Sequence, residues 1–282
     1  MRKQSVSILP VSETILSTIL AACKAKPHLA HADPASRPLK DFLTMDSATP
    51  RVDRRSFASL GHADHGWLDA RHHFSFADYH DPARMGWGAI RVWNDDKIAS
   101  RSGFPPHPHA DMEIITYVRT GAITHQDSLG NQGRTAAGDI QVMSAGSGVR
   151  HAEYNLEDED TTLFQIWIQP RGRGGSPCWG ARPFPREARS GKLVVLASGF
   201  CEDREALRIR ADARLLGGTL KAGESVTHES AEGRHIYLVP ATGRIAIDGQ
   251  TIETRDGAAL TGGTPITITA IEDSEIVLVD SI

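Results

Sequence analysis

Two short phrases carry the residues best suited to chemistry, His107-Pro108-His109 and His151-Ala152-Glu153. In a β-strand residues i and i+2 project from the same face, so each phrase sets two metal-binding side chains side by side. Together they offer three imidazoles and one carboxylate. That donor set suits a first-row divalent metal such as Fe(II), Mn(II), Ni(II) or Cu(II), and in an octahedral site it leaves positions open for a substrate or for oxygen. The competing explanation is chance, because the chain has 13 histidines and alternating pairs also arise on solvated strands. The surroundings of the two phrases argue against it.

Pro105, Pro106 and Pro108 hold their neighbours extended, which sets out the rings of His107 and His109 before any metal arrives. Pro108 cannot donate to a ladder, so this segment is expected at a sheet edge. The glycine-rich Ser144-Ala-Gly-Ser-Gly148 permits a tight reversal just before His151. Glu113 follows His109 by an even four residues and competes with Glu153 for the carboxylate position. Its distance along the strand suits it better to orienting an imidazole from behind, and Glu153 is preferred as the ligand. His125 and Asp127 alternate on the next arm, where they either line the cavity or sit on a half-exposed face. Trp67, His72, His73 and Trp93 are read as core or surface residues.

The elements that must position these side chains are strands. From about Arg54 onward, short apolar alternations are punctuated by Gly, Pro, Asp and Asn, which predicts an all-β chain of sandwich or barrel domains. Strands are expected at 88–93, 113–118, 123–127 and 162–168, the last with Leu163, Gln165 and Trp167 on one face and Phe164, Ile166 and Ile168 on the other. Residues 171–191, rich in Arg, Gly and Pro, read as a connector. Beyond it further strands are expected at 193–196, 235–239, 244–248, 266–269 and 276–279, with Asp248-Gly249 as a two-residue hairpin turn.

Comparing the halves reveals a weak repeat. Tyr117-Val118, Gly121-x-Ile123 and Asp127 in the first are answered by Tyr237-Leu238, Gly243-x-Ile245 and Asp248 in the second. This predicts two copies of one β-domain, residues 45–170 and 192–282. The second copy offers only His228 where the first has its histidine pair. Histidines that one copy dispenses with are not required by the fold.

The bulk composition excludes other classes. A net charge of -4 and the absence of a Lys/Arg run argue against nucleic-acid binding. Cys23, Cys178 and Cys201 are odd in number and widely spaced, which suggests reduced thiols and a cytoplasmic protein. No apolar stretch reaches the length of a membrane span. Residues 1–44 differ from the rest. Leu20-Ala21-Ala22-Cys23 has the look of a lipoprotein cleavage box, but Pro10 and Glu13 interrupt the apolar core such a signal needs. A poorly ordered extension ahead of Met45 is the preferred reading. It carries +3, leaving -7 on the remainder.

The phrases His107-Pro-His109-Ala-Asp-Met-Glu113, His125-Gln-Asp-Ser-Leu-Gly-Asn131 and Met143 to Asn155 resemble the pirin family of the cupin superfamily. The stretch Gly61 to Tyr79 is similar to the start of bacterial members described as quercetin 2,3-dioxygenases. The resemblance runs from about Arg54 to the end. It departs from the general cupin pattern at Ser144, where a proline is expected, and in the spacing on either side of the histidines, departures that pirins share.

The resemblance implies a bicupin of two jelly-roll domains with one metal in the first. Residues matching His107, His109, His151 and Glu153 hold it, and it is usually iron, with Mn, Ni, Cu or Zn as alternatives. It further implies a dioxygenase that opens the central ring of a flavonol with O2 and releases carbon monoxide. Glu153, detached from the metal, would then serve as the catalytic base. A monomer without membrane or nucleic-acid partners is expected. The alternative is a metal-binding regulatory or redox-sensing protein that acts through a protein partner. A third reading is an orphan cupin acting on another small phenol, since fold does not fix substrate.

Overall fold

The computed structural model describes residues 52–282, so the expectations for residues 1–44 lie outside the described residues. Strands of two to nine residues dominate, joined by turns and three short 3-10 segments, with no α-helix among the described residues. In the first half a seven-stranded sheet runs Cys178–Arg182, Ile140–Ser144, Glu113–Thr120, Thr161–Ile168, Ile90–Ile98, Leu68–His72, Gly61–Asp64. Facing it is a four-stranded sheet ordered Ser102–His109, Val149–Asn155, Ala122–Asp127, Gln132–Ala136. The proline-bearing Ser102–His109 is an edge strand, as its missing N–H groups require.

The second half repeats both orders. Its large sheet runs Asp53–Arg55, Gly257–Thr261, His235–Thr242, Ser274–Ser281, Ala213–Leu220, Val194–Ser198, Leu207–Arg208, and its small one Ser225–His228, Ile266–Ala270, Ile245–Ile247, Gln250–Ile252. The faint repeat in the sequence is therefore a repeat of topology. Gly121 and Gly243 make the same left-handed turn, with φ of 72° and 71°. A Cβ at either would lie 2.4 Å from Thr161 Oγ1 or Asp273 O, so both conformation and space demand glycine.

Alternation along each strand decides what each face buries. Phe164, Ile166 and Ile168 join Trp93 and Tyr117 on the back of the first large sheet, and Tyr237, Val239 and Val277 come from the back of the second. These residues form one core between the halves, so the two domains are packed back to back. The front of the second domain is filled by Leu238, Ile245, Ile268 and Leu278. The front of the first is not filled. Its apolar residues split into two smaller clusters on either side of a cavity.

Two boundaries differ from the sequence reading. The expected connector is structured: Cys178–Arg182 pairs with Ile140–Ser144 as the edge of the first large sheet, and Arg186–Arg189 forms a 3-10 turn. Its arginines and glycines suggested a linker because a buried, paired arginine cannot be told from a solvated one by composition. Asp53–Arg55 pairs with Gly257–Thr261, so the chain enters through the sheet of the second domain before building the first.

Arg189 is only 1% exposed. It donates to Tyr117 Oη at 2.9 Å, Gly138 O at 2.8 Å and Glu275 Oε1 at 3.3 Å. Burial, then the nearby Glu275, keep the Tyr117 phenol protonated, and it donates to Glu275 in turn. Arg189→Ala should cost about 2–3 kcal/mol, because Tyr117 Oη and Gly138 O lose a buried donor while Glu275 keeps Arg186 as its ion-pair partner. Denaturant unfolding of the two proteins side by side measures this, and a loss below about 1 kcal/mol would contradict it.

Candidate metal centre

The small sheet of the first domain brings the histidines together through its register. His107 stands opposite His151 across the ladder, and His109 opposite Val149. The ring centroids are 4.4 Å apart for His107 and His151, 4.8 Å for His107 and His109, and 4.9 Å for His109 and His151. One nitrogen from each ring lies within 4.8 Å of the others, and all three residues are buried.

This donor set fits a metal ion. His107 Nδ1 donates to Pro105 O at 2.8 Å, which fixes the tautomer and turns the Nε2 lone pair outward from that bond. His151 Nε2 is buried with no hydrogen-bond partner. A buried polar atom left this way costs stability, and a metal ion at the centre of the three rings would satisfy it.

Burial holds the imidazoles of His109 and His151 well below the usual histidine range, with the neighbouring rings as the next cause, and His107 is lowered chiefly by burial as well. Neutral imidazole is the form that ligates. The sign of the pH effect follows. Between the lowered native values and about 6.5, the unfolded chain binds more protons than the folded one, so stability is lost as pH falls through that window. The melting temperature of metal-free protein should fall steadily from about pH 7 to about pH 5. A flat profile would show that these rings are not buried neutral.

Glu153 follows a bulge in the ladder after His151 and also lines the cavity. It does not enter the three-histidine group. Its Oε1 accepts from Thr116 Oγ1 at 2.9 Å and Gln141 Nε2 at 2.5 Å, and its Oε2 from Gln165 Nε2 at 2.7 Å. These donors belong to a polar row across five strands of the large sheet: Gln141, Thr116, Gln165, Asn94 and His72 stand opposite one another in turn. At its far end His72 Nδ1 lies 2.8 Å from Asn94 Oδ1. A sequence reading that treats His72 as core or surface misses that it lines the cavity. The remaining three of that set are structural: Trp67 packs on Phe104, while His73 and Trp93 lie in the core between the domains.

Glu113 is not brought to the histidines. Asp111, at φ 52°, breaks the chain between His109 and Glu113, and Glu113 starts a strand of the other sheet. There it shares the back face with Ile115 and Tyr117 and accepts from Ser144 Oγ at 2.5 Å. The even spacing from His109 has meaning only within one strand. His125 and Asp127 stand behind His151: His125 Nδ1 is 3.4 Å from His151 Nδ1, its Nε2 is 3.4 Å from Asp127 Oδ2, and its ring stacks on Trp179.

The cavity has a volume of about 610 Å³. Trp167, Phe76, Phe104 and Ile114 supply apolar walls, with Trp167 packed edge-on against His109 at 4.9 Å. Asn94, Asp96, Gln165 and Glu153 supply polar groups.

Residues 51–168 match the Pirin family model, and residues 195–281 match the quercetinase C-terminal cupin domain. A pirin-like protein of Caulobacter vibrioides is 64% identical over 230 residues, covering 82% of this chain and 99% of the relative. The chain belongs to the pirin family. A protein of Escherichia coli (strain K12) named quercetin 2,3-dioxygenase is 43% identical over 221 residues, covering 78% of this chain and 94% of its own length. The crystal structure of the bacterial pirin YhhW from Escherichia coli, in complex with nickel(II), superposes with a TM-score of 0.77 at 40% identity, covering 82% of this chain and 99% of the other. The pirin match spans the half that carries the histidines, and the two matched domains make the fold a bicupin.

Proposed function

We propose that the chain is a metal-dependent dioxygenase that opens the central ring of a flavonol, both atoms of O2 entering the ester product and one ring carbon leaving as carbon monoxide. What carries this reading is the cavity: three buried imidazoles open onto a space of about 610 Å³ with aromatic walls and polar side chains set among them, the make-up of a small-molecule site. Relatives named quercetin 2,3-dioxygenase support the substrate class.

Under this proposal His107, His109 and His151 hold the metal, with Glu153 as the fourth donor. Fe(II) is the proposed ion, and Ni(II), Mn(II), Cu(II) or Zn(II) suit the same imidazole and carboxylate donors. Once bound, the metal would supply Lewis acidity toward the hydroxy-ketone oxygens of the substrate. The rest falls to the chain. Glu153, once detached from the metal, takes the proton of the substrate hydroxyl, making the ring electron-rich toward oxygen. Thr116, Gln141 and Gln165 hold its carboxylate in position, and Trp167, Phe76 and Phe104 enclose the flat rings and exclude water.

The test is oxygen uptake, loss of flavonol absorbance and carbon monoxide release by protein reconstituted with Fe(II), in one-to-one proportion. A filled metal site with none of these would overturn the proposal in favour of a regulatory protein that acts by contacting a partner.

A further inference from the structure

Asp96 lies on the inward face of Ile90–Ile98, opposite Leu163 on one neighbouring strand and Ala70 on the other, with Ile98 two residues along. Those three neighbours belong to one apolar cluster. The residue is 2% exposed and lines the cavity, and its Oδ1 is buried with no hydrogen-bond partner. Arg119, whose charge is felt there, is paired with Asp95 on the opposite face of the strand. A carboxyl set among apolar side chains without a protein partner costs stability. Burial, then the charges of Asp95 and Glu153, hold its carboxyl well above the usual carboxylate range.

Its position along the sheet says what it would meet. Leu163, its cross-strand neighbour, is four residues from Trp167, the ring against His109. At the rise of a strand this is about 13 Å between the two backbone positions, so Asp96 is set off along the cavity wall from the ring that packs on His109.

We infer that Asp96 is a specificity-determining residue: it hydrogen-bonds a hydroxyl group on the part of the substrate away from the histidines and so selects polyhydroxylated phenols over analogues lacking that group. The inference rests on the reading of the cavity as a flavonol site. A site built to hydrogen-bond a substrate hydroxyl rejects the analogue without it, because its own buried group is then left unmet.

The experiment is an anaerobic titration of the Fe(II)-loaded protein, where no turnover occurs, with flavonols carrying two, one or no hydroxyls on the pendant ring, followed by tryptophan fluorescence. The unsubstituted protein should bind the hydroxylated members roughly tenfold more tightly than the unhydroxylated one. Asp96→Leu should level the series while raising or preserving Tm, and Asp96→Asn, which still donates and accepts, should keep the preference. Asp96→Leu that retains the preference, or that lowers Tm while leaving the series unchanged, would overturn the inference and make Asp96 structural. A series already level in the unsubstituted protein would overturn the anchor alone. No saturable binding of any member would overturn both the anchor and the flavonol reading.

Discussion

His107→Ala is expected to abolish metal retention and flavonol turnover together while leaving the bicupin folded. His107 is one of three imidazoles, and its Nε2 is aimed by the hydrogen bond from its Nδ1 to Pro105 O. Removing it leaves two ring donors and the Glu153 carboxylate, and a divalent ion so held exchanges far more readily with solvent. Turnover should fall below about a thousandth of the parent value, since several kcal/mol of transition-state stabilisation depend on the bound ion. The fold should survive, because His107 sits on an edge strand beside an existing cavity and not in the core between the domains. Melting separates the two effects. Metal at a hundred times its dissociation constant stabilises the parent by about 2.7 kcal/mol, and that increment should vanish in His107→Ala while the metal-free proteins melt within a few degrees of each other. A variant that still binds metal and turns over would remove the three-histidine site from the reaction.

The site was legible where local rules suffice. His107 and His109 could be paired from the sequence because i and i+2 share a face, and the prolines beside them mark an edge strand. The split of Leu163, Gln165 and Trp167 from Phe164, Ile166 and Ile168 followed from the same alternation, and the structure sends Gln165 and Trp167 to the cavity, Leu163 to the apolar cluster beside it, and the second face to the domain interface. What could not be read was set by pairing between distant strands. Thr116, Gln141, Gln165, Asn94 and His72 come from five strands, and only the register of the large sheet makes them a row. A signal existed for one of them: Gln165 is a polar residue inside the strongly apolar strand Thr161–Ile168. Glu113 failed for a related reason, since the left-handed Asp111 ends the strand on which its even spacing would have counted. Cys178–Arg182 was hidden because composition reports a segment's average and not its partner.

The duplication makes the functional argument sharper. Ser102–His109 and Val149–Asn155 occupy the same places in their sheet as Ser225–His228 and Ile266–Ala270 in the other. The second domain fills the corresponding space with Ile245, Ile247, Ile266 and Ile268, and its one histidine at that strand, His228, is held by Asp280 at 2.9 Å. A filled front is thus the arrangement this topology reaches when stability alone is served. The first domain leaves that space open and lines it with buried polar groups, at an energetic cost that a ligand site explains.

Glu153→Gln is the sharpest test of how the proposed reaction divides between metal and protein. The substitution keeps the size of the side chain but removes its ability to take a proton, so turnover should fall by roughly 10²–10⁴-fold. Metal should stay bound, because the three imidazoles are untouched. The new amide would place an NH2 where Gln141 or Gln165 now donates, and a flip of either glutamine amide restores the pairing, so the row can adapt without unfolding. Metal content by mass spectrometry and turnover, measured on the same preparation, separate the roles. Bound metal with lost turnover assigns the proton transfer to Glu153. Loss of both would show that the three imidazoles cannot hold the ion without its carboxylate, and unchanged turnover would leave the base to be sought elsewhere along the cavity wall.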